Sequence, residues 1–213
     1  MNATSPVRLS DLDALLIDLG NVLVRLHVGR FLRRLREVVA APAGDDPEVV
    51  FAEATYHRFA RGELDARGFH AAFEKHLGCT WPYESFVEAW CDVFSENTAS
   101  VDALRRVRGV RPLFLLSNTD VLHWESIRRR WGWTEWFDGL HLSCEVGLEK
   151  PDPRFFTTFL ERRALRPERC LFVDDLEDNV AAARSVGLHA VRQETPDTLL
   201  RVVEDVLGAA GRK

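Results

Sequence analysis

The strongest structural signal in the chain is the stretch at residues 15–21, which reads Leu-Leu-Ile-Asp-Leu-Gly-Asn. An apolar run of strand length ends abruptly in the carboxylate of Asp18, and a Gly-Asn pair follows directly. This order predicts a buried strand over 14–18 with Asp18 at its carboxyl tip and a turn beside it. Ligands of open α/β sheets bind at the carboxyl ends of the strands, so Asp18 is a candidate functional residue.

Segments of strand and helix character alternate through the rest of the chain. Further buried strands are predicted at 113–117, 140–142, 170–174 and 189–191, with helices at 101–107, 121–131, 152–163, 177–186 and 197–207. From about His27 to Asn97 the pattern is helical without strands, with stretches near 28–40, 48–60, 65–77 and 83–94. The sequence therefore predicts an α/β fold, a parallel sheet with helices on both faces, interrupted by a helical insertion.

Composition limits the partners and the compartment. The 213 residues are 46% hydrophobic and 29% charged, enough for one sizeable core and a smaller inserted domain. A net charge of −5 gives no general attraction to nucleic acid or to an anionic membrane, and no apolar run approaches the roughly 20 residues of a membrane span. The first ten residues lack an apolar signal segment, and the cysteines have no metal-type spacing, so we expect a cytoplasmic protein with reduced thiols at Cys79, Cys91, Cys144 and Cys170.

Two polar segments after the insertion are candidates for phosphate binding. Ser117-Asn118-Thr119 follows an apolar run. The segment is either a helix N-cap or a site at which a hydroxyl and free N–H groups bind a phosphate oxygen. Lys150 precedes a proline-started helix and is one of only three lysines among 28 basic residues. It is either a surface residue or a compact ammonium chosen to sit between a carboxylate and a phosphate.

A third segment places two adjacent carboxylates at the end of a predicted strand. Asp174 and Asp175 follow the run 170–173. Their charges suit the beginning of a helix, with one residue as the N-cap and the other exposed. The alternative is a magnesium site, because hard carboxylate oxygens are the ligands that Mg²⁺ prefers.

Taken together and in this order, the four segments resemble the motifs of the haloacid dehalogenase superfamily over essentially the whole chain. The resemblance is nearest to the phosphatase branch with a small helical cap, and within it to sugar-phosphate phosphatases of the α-D-glucose-1-phosphate phosphatase type, whose first motif also reads Asp-Leu-Gly-Asn. It implies a Rossmann-like, doubly wound core over 1–26 and 98–213 and an inserted α-helical cap domain over 27–97.

The resemblance also implies a role for each candidate residue. Asp18 would attack phosphorus and form an aspartyl-phosphate, while Lys150 would neutralise Asp18 and the phosphate. Ser117 and the Asn118 backbone would bind the phosphoryl group. Mg²⁺ would be held by the Asp18 carboxylate, the Gly20 carbonyl and Asp175. Support around these groups would come from Asp174 and Asn179.

One position departs from the family pattern. Most phosphatases of this superfamily carry, two residues after the nucleophile, a second Asp that protonates the leaving group; here that position is Gly20. A backbone metal contact survives this change, whereas an acid–base contribution on the order of 10²–10⁴-fold does not. A water, a cap residue or a substrate with a good leaving group could compensate.

The polar candidates in the cap are Tyr56, His57, Arg61 and Glu63, each of which could equally be a solvated helix-face residue. The aromatic residues Trp131, Trp133 and Trp136 are interpreted as core or interface packing. The leading hypothesis is a Mg²⁺-dependent phosphatase of a small phosphorylated metabolite, acting as a monomer or weak homodimer. A metal-free haloacid dehalogenase and a non-catalytic phospho-ligand sensor that lost its acid–base residue are the alternatives.

Overall fold

Strand β1 (Ala14–Ile17) is fully buried at the centre of a parallel sheet. The structure, a computed structural model, describes residues 12–39, 54–195 and 197–210. The other strands of this sheet are β4 (Leu113–Ser117), β5 (Gly139–Leu142), β6 (Cys170–Asp174) and β7 (His189–Arg192). Their order is β5-β4-β1-β6-β7, so β1 has a parallel partner on each side. The strands predicted from the apolar runs are therefore all present.

The described helices lie between the strands in the order expected of a doubly wound fold. They are α1 (Val28–Val38), α2 (Ala54–Ala60), α3 (Ala66–Leu77), α4 (Tyr83–Cys91), α5 (Thr98–Val107), α6 (Val121–Arg130), α7 (Ser143–Val146), α8 (Pro153–Arg163), α9 (Glu177–Ser185) and α10 (Thr198–Ala210). The first part of the helix predicted at 48–60 lies outside the described residues.

Both faces of the sheet are covered, as the sequence of β1 requires. Leu15 and Ile17 belong to a core with residues of α5 and α10, whereas Ala14 and Leu16 belong to a second core with residues of α8 and α9. Successive side chains of a strand point to opposite faces, so a strand without polar alternation must be buried on both. The predicted fold class is confirmed.

The insertion has an aromatic core of its own, which continues into the larger core of the sheet. Phe31 of α1 stacks on Trp81 with ring centroids 5.6 Å apart and meets Trp90 edge-on at 5.1 Å. Rings that bury this much apolar area dominate the packing of a small domain. The buried rings are Phe31, Phe59, Phe69, Phe73, Trp81, Phe86 and Trp90.

The expectation of an insertion without strands was wrong at its carboxyl-terminal end, and the short strand that precedes the insertion was not predicted. Strand β2 (Val24–Leu26) pairs antiparallel with β3 (Phe94–Glu96), and the last helix of the insertion ends at Cys91 instead of continuing to Phe94. Three residues are too few to display the alternation that identifies a strand. This two-stranded ladder joins the segment that enters the insertion to the segment that leaves it.

The three tryptophans of 131–136 pack away from the carboxyl edge of the sheet. Trp131 and Trp133 stack at 6.0 Å, and Trp133 donates from Nε1 to Glu96 Oε2 at 2.8 Å. The guanidinium of Arg108 lies 5.5 Å from the Trp136 ring centroid. These contacts are packing contacts, as the sequence suggested.

None of the four cysteines is in a disulfide, so their thiols are free. Within the described ranges no helix combines the length and the apolar character that crossing a bilayer demands.

Candidate active site

Three carboxylates gather at the carboxyl edge of the sheet, on the two central strands. Asp18 follows β1, and Asp174 ends β6 with Asp175 next to it. The register pairs Ile17 with Val173, and the Asp18 N–H donates to the Val173 carbonyl at 3.0 Å, so the strand tips lie side by side. One oxygen from each of the three carboxylates lies within 4.8 Å of the other two.

The Lys150 ammonium lies between two of these carboxylates. Its Nζ donates to Asp18 Oδ1 at 2.7 Å, to Asp174 Oδ2 at 2.6 Å and to the Leu116 carbonyl at 3.0 Å. The side chain is only 1% exposed. All three ammonium donors are satisfied, and one positive charge faces three carboxylates, which leaves a surplus of negative charge.

Asp174 is the structural member of this cluster. Its oxygens accept from the Leu176 N–H at 2.9 Å and from Asn179 Nδ2 at 2.9 and 3.1 Å, in addition to Lys150. The residue is completely buried. A carboxylate so fully bonded holds Lys150 in position and is left with little capacity for another ligand.

Asp175 is more open and points to the turn after β1. Its Oδ2 accepts from Asn21 Nδ2 at 3.0 Å. Asn21 adopts a left-handed backbone, with φ of 50°, and its own Oδ1 accepts from the Leu26 N–H at 3.2 Å. Asn tolerates this conformation better than most residues, which explains the Gly-Asn pair in the opening stretch.

Burial and mutual repulsion dominate the electrostatics of the site. Burial, with the nearby charge of Asp174, raises the pKa of Asp18 to about 7, although Lys150 opposes the change. Burial also raises the pKa of Asp175. Burial would lower the pKa of Lys150, but the two carboxylates outweigh it and the pKa is raised. A further cation at this site would stabilise the ionised carboxylates.

Gly20 leaves open space beside Asp18. Its φ lies outside the left-handed region, and a Cβ added there would be 3.9 Å from Asp18 Oδ2 with no other atom outside its neighbouring residues within 4 Å. The backbone at position 20 therefore accepts a side chain, and this sequence supplies none.

The Ser117-Asn118 segment meets the site from β4. Ser117 is buried, and its hydroxyl makes only a long contact of 3.4 Å with the Asn118 carbonyl. The Asn118 side chain bonds the Lys150 backbone twice, accepting from its N–H and donating to its carbonyl, both at 2.8 Å. Sequence reasoning missed this positioning role of the Asn118 side chain, which nothing in the local pattern signals.

The insertion reaches the same edge of the sheet through α2. His57 Nδ1 lies 3.2 Å from Glu149 Oε1, and Arg61 donates to Glu149 Oε2 at 3.0 Å. Of the other cap candidates, Glu63 pairs with Arg61 at 2.7 Å. Tyr56 is half-buried against the aromatic core, and burial raises its pKa. A cavity of about 470 Å³ lies between α2 and the loop 147–151 and is lined by His57, Arg61, Asn118, Glu149 and Lys150 among others.

A buried hydroxyl fixes the insertion to the sheet. Ser143 Oγ donates to the Ala60 carbonyl at 2.6 Å and accepts from the Thr119 N–H at 2.9 Å. The next turn of the insertion brings Gly62 against the Cys144 carbonyl so closely that a Cβ would overlap it. Only the tertiary structure shows that Ser143 holds the insertion, since its partners are 24 and 83 residues away in the chain.

This approach leads to a prediction for Gly62→Ala. Gly62 has φ of 71° and no room for a Cβ, so we expect the variant to displace the α2 turn and lower the free energy of unfolding by about 2–4 kcal/mol. The matched control is Gly78→Ala, which has φ of 61° and no atom within 4 Å of the added Cβ; it carries the backbone strain without the collision. Urea denaturation of both variants measures the difference, and equal losses would contradict the close approach.

The chain is similar to several known proteins. Residues 12–187 match the haloacid dehalogenase-like hydrolase family model. Acyl-CoA dehydrogenase family member 10 of Mus musculus is 40% identical over 164 residues, which is 71% of this chain but only 15% of that protein. D-ribitol-5-phosphate phosphatase of Bacteroides thetaiotaomicron is 24% identical over 187 residues, 84% of this chain and 91% of that protein.

A solved structure shares the fold over most of its length. It is a haloacid dehalogenase family enzyme of Bacteroides thetaiotaomicron in complex with magnesium and inorganic phosphate. The TM-score is 0.77 at 23% identity, covering 85% of this chain and 93% of that one.

Proposed function

This chain belongs to the haloacid dehalogenase-like hydrolase family, as its motifs suggested, and we propose on that premise that it is a Mg²⁺-dependent phosphatase of a small phosphorylated metabolite, with a sugar phosphate as the favoured class. The observation that carries the proposal is the Asp18–Lys150–Asp174 arrangement, with its surplus negative charge beside the open carboxylate of Asp175. The phosphatase of Bacteroides thetaiotaomicron, similar along nearly its whole length, supports the substrate class.

The donor set fits magnesium. The carboxylates offer hard oxygens, Lys150 already occupies Asp18 Oδ1, and Asp18 Oδ2 faces the open space beside Gly20. Asp18, Asp175 and the Gly20 carbonyl would hold the ion. When bound, it would neutralise the charge of the phosphoryl group and lessen its repulsion by the nucleophile.

Each residue of the site has a separate role in the proposed reaction. Asp18 attacks phosphorus with one carboxylate oxygen as the bond to the leaving oxygen breaks, while the Lys150 ammonium, 2.7 Å from Asp18 Oδ1, keeps the carboxylate in position. The Ser117 hydroxyl and the Asn118 N–H stabilise the transferring phosphoryl group from the tip of β4. Water hydrolyses the resulting aspartyl-phosphate, which restores Asp18 and releases phosphate.

Turnover tests the proposal against its alternatives. We expect purified protein to hydrolyse 4-nitrophenyl phosphate and at least one member of a phosphorylated-metabolite panel, and to need added Mg²⁺. Release of halide from 2-chloropropionate without metal would identify a dehalogenase instead. Tight binding of phosphorylated metabolites without any turnover would identify a sensor.

Asp175→Asn is expected to raise the Mg²⁺ concentration for half-maximal activity by about tenfold or more, because a neutral amide is a weaker ligand for a hard cation. A chelator should abolish wild-type turnover, and added Mg²⁺ should restore it. Asp178→Asn is the control, since Asp178 is an exposed carboxylate three residues further on. An unchanged Mg²⁺ requirement in Asp175→Asn would remove Asp175 from the metal site.

A further inference from the structure

The residues around Asp18 include no donor for the proton that the leaving group needs in the proposed hydrolysis. An alkoxide leaving group needs a proton as its bond to phosphorus breaks. The Lys150 donors are all used, Asp174 is fully bonded, and position 20 has no side chain. Asp175 accepts a hydrogen bond from Asn21 and, as proposed, binds the metal. The donor must come from another part of the described structure.

The cavity beside Lys150 contains one side chain suited to this task. The other charged side chains that it adds to Lys150 are Arg61 and Arg154, which stay protonated, Asp152, which is paired with Arg154, and the carboxylate of Glu149. The Asn118 amide is bonded to the Lys150 backbone. His57 is the single imidazole in that lining. Imidazole is the side chain that most readily exchanges a proton near neutral pH.

The contacts of His57 orient it as a proton donor. Its Nδ1 faces both Glu149 oxygens, at 3.2 and 3.3 Å, so Nδ1–H donates to the carboxylate. Nε2 has no hydrogen-bond partner in the described structure, and the side chain is 46% exposed. Glu149 is itself held by Arg61 and only 14% exposed, and it directly precedes Lys150 in the chain. Glu149 therefore fixes the orientation of the imidazole ring.

The position of His57 is fixed by the same docking that fixes α2. The Ser143–Ala60 hydrogen bond and the close approach of Gly62 to Cys144 lie within five residues of it. The imidazole is therefore presented to the cavity that Lys150 and Asn118 share.

We infer that His57 protonates the leaving-group oxygen and that Glu149 is its positioning residue; the inference rests on the proposed phosphatase function. As the Asp18 oxygen bonds phosphorus and the bond to the leaving oxygen breaks, the proton on Nε2 passes to that oxygen, which gives an alcohol and neutral imidazole. Imidazole then takes a proton from the water that attacks the aspartyl-phosphate. Asp18 and the imidazolium are restored, and phosphate is released.

The test compares substrates that differ in their need for a proton. 4-Nitrophenolate leaves from 4-nitrophenyl phosphate without being protonated, whereas the glycerol oxygen of glycerol 3-phosphate needs a proton to leave. For His57→Asn, we expect the ratio of kcat/KM for glycerol 3-phosphate to kcat/KM for 4-nitrophenyl phosphate to fall by about 100-fold or more, and the alkaline limb of the glycerol 3-phosphate pH profile to disappear. His57→Gln is measured in parallel, so that misfolding of one variant does not decide the outcome. The control His76→Asn replaces an exposed histidine of α3.

Two further variants separate proton transfer from packing. Glu149→Gln should lower kcat for glycerol 3-phosphate more than kcat for 4-nitrophenyl phosphate, with KM for both little changed, because an amide orients the imidazole less firmly than a carboxylate does. Adding Gly20→Asp to His57→Asn should recover at least tenfold of the lost ratio, because position 20 accepts a side chain beside Asp18.

An unchanged substrate ratio in folded His57→Asn and His57→Gln would overturn the assignment, as would an alkaline limb that persists in both. Failure of the wild type to hydrolyse 4-nitrophenyl phosphate with Mg²⁺ would instead overturn the phosphatase proposal on which the inference rests.

Discussion

Asp18→Asn is expected to lower kcat by roughly four orders of magnitude or more, for every phosphate ester tested, because an amide cannot act as the nucleophile. The loss should be independent of the leaving group, which distinguishes it from loss of a proton donor. The structure predicts that the fold survives. Asn has the shape of Asp, and its Oδ1 can still accept from Lys150 Nζ, which lies 2.7 Å from Asp18 Oδ1.

The measurement is kcat with excess Mg²⁺, together with the midpoint of thermal unfolding. Asp205→Asn serves as the matched control, because it makes the same chemical change at an exposed position of α10. An Asp18→Asn variant that kept a tenth of wild-type activity would show that another group attacks phosphorus. Loss of activity together with loss of the folded state would instead assign Asp18 a structural role.

The strands of the sheet could be predicted from the sequence because the central ones are marked by clear local patterns. Strands β1, β4 and β6 are apolar throughout and end in polar residues, so both their burial and their functional tips can be read locally. The ladder of β2 and β3 was missed for the opposite reason. Each strand has three residues, and their pairing joins positions about 70 residues apart.

The residues of the candidate site could be predicted from the sequence, but the contacts between their side chains could not. Asp18, Lys150 and Asp174 are separated by up to 156 residues. The parallel register of β1 and β6 brings the two carboxylates together, and the Asn118 side chain after β4 holds the Lys150 backbone beside them. The pairing of His57 with Glu149 depends on how the insertion docks, which no local pattern encodes. The absence of a side chain at position 20 can be read from the sequence, whereas only the structure shows that the backbone there is not left-handed.

Lys150→Met is expected to abolish turnover and also to destabilise the protein, a combination that Asp18→Asn should not show. Lys150 is the ammonium that separates two buried carboxylates, with Nζ 2.7 Å from Asp18 and 2.6 Å from Asp174. Methionine keeps much of the length and the apolar stem but leaves both charges unpaired. Breaking a buried ion pair in this way costs about 3–5 kcal/mol, so we expect a loss of that size in the free energy of unfolding.

Urea denaturation at neutral pH, without metal, measures this loss. Lys75→Met is the matched control, because Lys75 is exposed on α3 and its replacement should change the free energy of unfolding little. Adding Asp174→Asn to Lys150→Met removes one of the two unpaired charges and should recover part of the stability, without recovering activity. A double variant no more stable than Lys150→Met would contradict the charge argument and indicate that the ammonium stabilises the fold mainly through its other contacts, with the Leu116 carbonyl and with the Phe172 ring, whose centroid lies 5.2 Å from Nζ. The comparison thus separates the attraction between Lys150 and Asp174 from the remaining contacts of the ammonium.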